Sequence, residues 1–422
     1  MQEDFLHYLW RLKRFDLSEL KTTQGQSIDI QRAGDYNRHA GPDFTDARVR
    51  IGDTLWAGNV EMHLRASDWI RHRHQEDEAY ENVILHVVLE EDKPVLRANG
   101  ERLPCLELKR RIPHRLSKIY QKLVHNEYWI PCEPQLPGVS LLTRQLWMDR
   151  LLVERLEEKT KQIGEMLERN RRDWEETFFQ CLARNFGVKV NADPFEQLAR
   201  SVPLKLIRRH RSNLLQVEAL LFGQAGLLDP AFEDAYPRRL RREYQHLSRM
   251  YGLSPMETAA WKFLRLRPAN FPTIRLAQLA MLLHQSGHLF SKTLAVQNTR
   301  EIEHMFEVHL SNYWKNHYLF DKTSKRQTKS LGRSTIHLFI INTIAPFLFF
   351  YGKERRDDKY QERALQLLEE LPPENNRIIR NWKKLDMEPN SAYQSQALLQ
   401  LKRDYCDQRR CLACAIGNAI LK

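Results

Sequence analysis

Asp43, Glu61 and His63 are the residues whose types and spacing can do chemistry together. Two carboxylates beside a nitrogen base can hold a divalent cation against a scissile phosphate and activate the attacking water. Glu61 and His63 are two apart in a run where Trp56, Gly58, Val60 and Met62 alternate with Ala57, Asn59, Glu61 and His63. That alternation is a strand pattern, so both side chains leave one face. Asp43 follows Pro42 and opens a second strand pattern through Ala47, Val49 and Ile51, with Gly52-Asp53 as the hairpin turn between the two runs. The hairpin brings Asp43 to the face that carries Glu61 and His63. On this reading Asp43 and Glu61 ligate Mg²⁺ or Mn²⁺, and His63 positions or deprotonates the water.

Three other groups carry chemical potential. His72, His74, Asp77 and Tyr80 follow Ser67-Asp68-Trp69, a pattern that predicts a helix capped at Ser67 or Asp68. His72 is the one assigned to catalysis or phosphate contact. His72 and His74 are two apart and share a face only on an irregular helix; His86 lies in an apolar strand and reads as a core residue. In the tail, Cys406, Cys411 and Cys414 form Cys-x4-Cys-x2-Cys, enough thiolates to hold Zn²⁺ or an iron–sulfur cluster if Cys105, Cys132, Cys181 or a distant His supplies a fourth ligand. The plain alternative is small buried cysteines on the last helix. Finally, Arg265, Arg267 and Arg275 interleave with Trp261, Phe263 and Phe271, a mixture suited to phosphate contact and base stacking, or simply to packing a helical domain.

The elements that must position these groups divide the chain. An amphipathic helix over Asp4–Phe15 leads to a strand at Gln26–Gln31, the hairpin, the helix after Ser67, and a nearly continuous apolar strand over Asn82–Glu90. Such a strand is buried on both faces, inside a sheet covered by helices. Pro94–Ala98 and Leu103–Leu108 finish the sheet, and Lys109-Arg110-Arg111 before Pro113 marks its edge. The expected organisation is α+β followed by α: a mixed-sheet domain over 1–112, a connecting segment over 113–140, and a large all-helical region over 141–422. The basic, turn-rich Asp321–Arg333 is expected to be a mobile loop.

Composition sets the partners. The 422 residues carry a formal charge of +12, which favours a polyanion, nucleic acid before an acidic membrane. No apolar run approaches the roughly 20 residues of a membrane span, the nearest being Ile336–Tyr351 with its His337, Asn342 and Pro346. Glu3, Asp4 and His7 replace the basic start of a signal peptide, and six unevenly spaced cysteines are not a secreted disulfide framework. The cytoplasm is the expected compartment, with no membrane partner. Oligomeric state and the choice between DNA and RNA are left open.

Pro42-Asp43 and Glu61-Met62-His63, set in the order helix, three strands, helix, strand, resemble the PD-(D/E)XK nuclease superfamily, with His63 where Lys is usual. The resemblance implies a restriction-endonuclease-like sheet flanked by helices and a metal-dependent phosphodiesterase acting on DNA or RNA. A neutral imidazole brings less charge to the task than Lys. The alternative is therefore a non-catalytic nucleic-acid-binding or structural protein that keeps the fold, with a cysteine-held metal. The runs Asn59–His63, Arg267–Pro272 and Tyr405–Gly417 also resemble an uncharacterised bacterial family, a domain of unknown function, over the whole chain.

Overall fold

The computed structural model describes every residue except Met1, Arg38 and Ala98. Two compact units emerge, one made of residues 1–147 with 401–422, the other of residues 148–400. This differs from boundaries at 112 and 140 because the tail returns to the first unit. The segment expected to be a mere connection also contains a helix, His114–Val124.

In the first unit, α1 (Glu3–Arg11) buries Phe5, Leu6, Tyr8, Leu9 and Trp10. It stops earlier than expected, with Leu12 exposed and Lys13 at φ +50°. The Trp10 indole donates to Ala33 O and the Lys13 ammonium to Ile30 O, which ties the helix end to the sheet. Glu3, His7 and Arg11 recur every fourth residue and therefore share a stripe.

The sheet contains β1 (Ile28–Arg32), β2 (Asp35–Tyr36), β3 (Phe44–Ile51), β4 (Thr54–Arg65), β5 (Val83–Glu90) and β6 (Cys105–Glu107). Its order is β1-β3-β4-β5-β6, with β2 pairing β3 at one end. The β1–β3 and β3–β4 pairs are antiparallel, and β4–β5 and β5–β6 are parallel, so the sheet is mixed. Ile51 faces Thr54 across the expected Gly52-Asp53 turn, with Gly52 at φ +57°. A bulge between Phe44 and Ala47, with Asp46 at φ +54°, re-aims the start of β3. Val83–Val88 are all buried, as two-sided covering requires. Beyond β5, the expected strand over Pro94–Ala98 reduces to a bridge between Leu96 and Arg102, Ala98 lying outside the described residues.

A 29-residue helix, Leu141–Arg169, starts in the first unit and continues into the second, which is mostly helical. Stacked and edge-on contacts among Trp174, Phe178, Phe290 and Phe347 lie in its core. Two departures from the expected all-helical region lie around Asp321–Arg333. A two-stranded ribbon pairs His317–Leu319 with Lys322–Thr323. Lys329 is buried and donates to Lys315 O, so the segment is anchored rather than a free loop. The apolar run near Ile336 is part of one helix over Arg333–Arg355 that continues through Pro346 by way of a π-turn at Ile340–Ile344. Its length and apolarity are enough to cross a membrane, but 67% of its apolar window is buried, as in a core helix.

Gly58 sits where β4 begins to pair with β5. A Cβ there would lie 2.5 Å from Ile84 Cγ2 and 2.6 Å from Asn82 O. Gly58→Ala is therefore expected to lower stability by about 1–3 kcal/mol, seen as a lower urea midpoint at unchanged slope. Gly138→Ala, with nothing within 4 Å of the added Cβ, is the matched control and should leave the midpoint in place.

Candidate metal centre

The pairing of β3 with β4 brings the two expected carboxylates together. Glu61 Oε2 accepts the Asp43 N–H at 3.0 Å, and Asp43 Oδ2 accepts the Met62 N–H at 3.0 Å. Each acid thus holds the other's strand. Glu61 is buried, and His63 Nε2 lies 3.6 Å from its Oε1. Burial, reinforced by the charge of Asp43, raises the Glu61 pKa against the opposing bond from His74.

His63 does not take the role of a charged Lys. Burial and the neighbouring His86, His74 and His72 hold its pKa down to about 2, so the ring is neutral. Its Nδ1 meets His86 Nε2 at 2.9 Å and its Nε2 meets His72 Nδ1 at 3.2 Å. The register that pairs Glu61 with His86 across the parallel strands puts His86 under His63. An Nε2 lone pair aimed into the site requires the proton on Nδ1, donated to His86, which is how a metal-ligating histidine is usually held. Burial likewise pushes His86 down to about 3.

The expected long helix after Ser67 is instead one turn, α2 (Asp68–Arg71), followed by two short 3₁₀ turns. Arg73 separates His72 from His74 in the left-handed region at φ +61°. This break removes the objection that residues two apart cannot share a helical face. It turns both rings toward His63, and the ligand atoms of His63, His72 and His74 all lie within 4.8 Å of one another. His74 Nε2 is also 3.4 Å from Glu61 Oε1, and its ring stacks on Tyr80 at 3.8 Å.

Sequence reasoning did not assign His74 to the site, and it missed Glu3 and His7 altogether. His7 Nε2 lies 3.2 Å from Asp43 Oδ2. Burial lowers the His7 pKa, but the bond to Asp43 and the charges of Asp43, Glu3 and Asp4 outweigh it and raise it overall. Burial and the charges of Asp43, Glu61 and Asp68 push Glu3 up to about 7 against His7. The available signal was the i, i+4 placement of Glu3 and His7 on the opening helix.

His63, His72 and His74 are the imidazoles gathered closely enough to share one cation, and imidazole nitrogens suit a divalent transition metal. Glu61 and Asp43 adjoin them. Next to the site a cleft of about 640 Å³ is lined by His7, Arg11, Tyr36, Tyr120, Arg409 and Arg410, among others. Arg11, Arg409 and Arg410 are exposed.

The other assigned residues fall elsewhere. Arg265 and Arg267 are exposed in the second unit. Arg275 is buried and donates to Gln278 at 3.1 Å and Asn270 at 2.6 Å, so it braces the Arg267–Pro272 turn, which corrects its expected contact with a phosphate. Cys406, Cys411 and Cys414 lie in the first unit, apart from the histidines by sequence.

A family model described as "Protein of unknown function (DUF2851)" matches residues 3–377. The match takes in the whole carboxylate–histidine site and stops short of the tail cysteines, so the family likeness is narrower than the whole chain. No curated protein and no solved structure matches.

The acid cluster makes a pH signature testable on metal-free protein. A folded pKa near 7 for Glu3, against the ordinary 4.5, means that ionised Glu3 costs stability at high pH and that the cost disappears as pH falls through 7 toward 4.5. Glu3→Gln should therefore melt at a higher temperature than the wild type at pH 8 in EDTA. The two melting temperatures should converge by about pH 4.5.

Proposed function

Since the chain belongs to the DUF2851 family, whose description carries no activity, we propose from the site itself that the protein is a metal-dependent phosphodiesterase of nuclease-like build. The observation that carries this reading is the buried Glu61 carboxylate, braced by the Asp43 backbone and ringed by His63 and His74 at 3.6 and 3.4 Å. Burying acids against one another costs stability unless a cation neutralises them. The order of α1, β1, β3, β4, α2 and β5, with acids at β3 and β4, supports a nuclease-like core.

A divalent cation held here would supply Lewis acidity at the phosphate and a bound water of lowered pKa. The imidazole-rich donors favour Mn²⁺ or Zn²⁺ over the Mg²⁺ that two carboxylates alone would suit. Asp43 and Glu61 would take the carboxylate side of such a cation, and His63, His72 and His74 would offer it nitrogen donors, with His86 fixing the His63 tautomer. His7, whose pKa is raised against burial by the bond to Asp43, is placed to pass a proton to the leaving oxygen. Arg11 and Arg410 on the cleft wall offer contacts to a phosphate backbone, in keeping with the net charge of +12.

Labelled single- and double-stranded DNA and RNA, incubated with purified protein in Mg²⁺, Mn²⁺ or Zn²⁺, test the reading. Cleavage is expected, faster in Mn²⁺ than in Mg²⁺. Glu61→Gln should cut the rate by about 100-fold or more while leaving binding intact or slightly tighter, since one repulsive charge is gone. His63→Lys should lower activity, because it removes a neutral nitrogen donor and breaks the contacts with His86 and His72. Wild-type protein that binds nucleic acid but cuts none in any metal would favour a non-catalytic binding module. Protein that binds none would end both readings.

A further inference from the structure

We propose that Cys132 completes a four-thiolate metal centre with Cys406, Cys411 and Cys414, a second metal site distinct from the carboxylate–histidine centre. The four come from two distant stretches of chain. Cys132 precedes the short turn Glu133–Gly138, while Cys406 ends the turn Leu401–Cys406, Cys411 opens the turn Cys411–Ala413, and Cys414 caps the helix Ala415–Ile420. All four are free thiols, and Cys132, Cys411 and Cys414 are buried. The fold joins the two stretches: Arg409 donates to the carbonyls of Val124 and Asn126, Asn126 Nδ2 donates to Pro131 O beside Cys132, and the helix Ala415–Ile420 packs on the turn Glu133–Gly138. The four thiols lie within electrostatic reach of one another. Cys105 and Cys181 have other neighbours, Glu91 and Arg102 for the first and Met166 for the second.

Three features separate this from four inert core residues. Cys414 receives hydrogen bonds from the backbone N–H groups of Ile416 and Gly417, donors that suit a thiolate far better than a thiol. Lys402 and Arg409 stand near Cys406 and Cys411 and offset the charge that thiolates would bring. Gly417 lies so close to Cys411 O that no Cβ fits, which draws the last helix onto the cysteine turn. Neighbouring thiols disfavour each other's ionisation, so the empty set is neutral. As each sulfur–metal bond forms, the thiol loses its proton to solvent, with no change of oxidation state. The shared chemistry is a thiophilic metal core: no three of these sulfurs lie within 4.8 Å of one another, which suits the wider iron–sulfur cluster made by cellular assembly machinery, whereas one zinc ion would require them to close in. The centre would set the turn that carries Arg409 and Arg410 into the cleft beside His7.

The test is elemental analysis and X-ray absorption on the full chain purified anaerobically and briefly dialysed against EDTA, which strips metal from the open carboxylate–histidine centre before the cysteine-bound metal is read. Expected is either about one zinc per chain, or about four irons with acid-labile sulfide and a broad visible absorption, and in both cases a metal shell of sulfur with no nitrogen or oxygen from the protein. Cys132→Ser should cut bound metal to roughly a tenth, as Cys411→Ser does, while Cys105→Ser and Cys181→Ser retain it. Chain free of zinc and iron overturns the proposal. So does a first shell of three sulfurs with a nitrogen or oxygen ligand in the wild type, which needs no variant to fold, or full metal in Cys132→Ser. Nuclease assays are not part of the readout, so failure here leaves the carboxylate–histidine reading standing.

Discussion

The reciprocal bracing of Asp43 and Glu61 is the constraint on which the site depends. Each carboxylate accepts a backbone N–H from the other's strand, so the antiparallel pairing of β3 and β4 and the placement of the acids are one interaction. A slip of one residue in that register would send Glu61 and His63 to the opposite face. The bulge at Asp46 and the absence of a side chain at Gly58 let β4 pair antiparallel with β3 and parallel with β5 at once.

Electrostatics then sorts the polar groups around that brace into two kinds. On the outer side, His7 sits against Asp43, and although burial lowers its pKa, three nearby acids raise it overall. On the inner side, His63 and His86 are too deeply buried and too close to other imidazoles to charge. The result is a carboxylate pair with one ring whose pKa the acids raise on one side and two buried rings held neutral on the other. His63 therefore works as one of a packed group with His72, His74 and His86 rather than as a lone basic residue.

The division into units shows why the tail matters. Residues 401–422 rejoin the sheet-bearing unit and supply part of the cleft wall beside His7, with Arg409 anchored by the Val124 carbonyl at 2.8 Å. Buried Leu401, Tyr405, Ile416 and Leu421 hold the segment to that unit.

Period and turn chemistry alone determined the hairpin at Gly52-Asp53, the shared face of Glu61 and His63, the doubly buried strand from Val83 and the helical character of the second half. Those follow from local rules: alternation in strands, 3.6 periodicity in helices and glycine at a turn. Only the tertiary structure decided which distant groups join them. His7 and Glu3 reach Asp43 because α1 packs on β4, and His86 lies under His63 because the parallel register pairs it with Glu61. His72 and His74 converge because one left-handed residue, Arg73, breaks a helix that propensity would have continued. Arg275 moved the other way, from an apparent phosphate contact to an interior brace, since its turn folds back over it. Spacing along a chain reports the faces of single elements, whereas a site assembled from four of them depends on long-range pairing that no local pattern encodes.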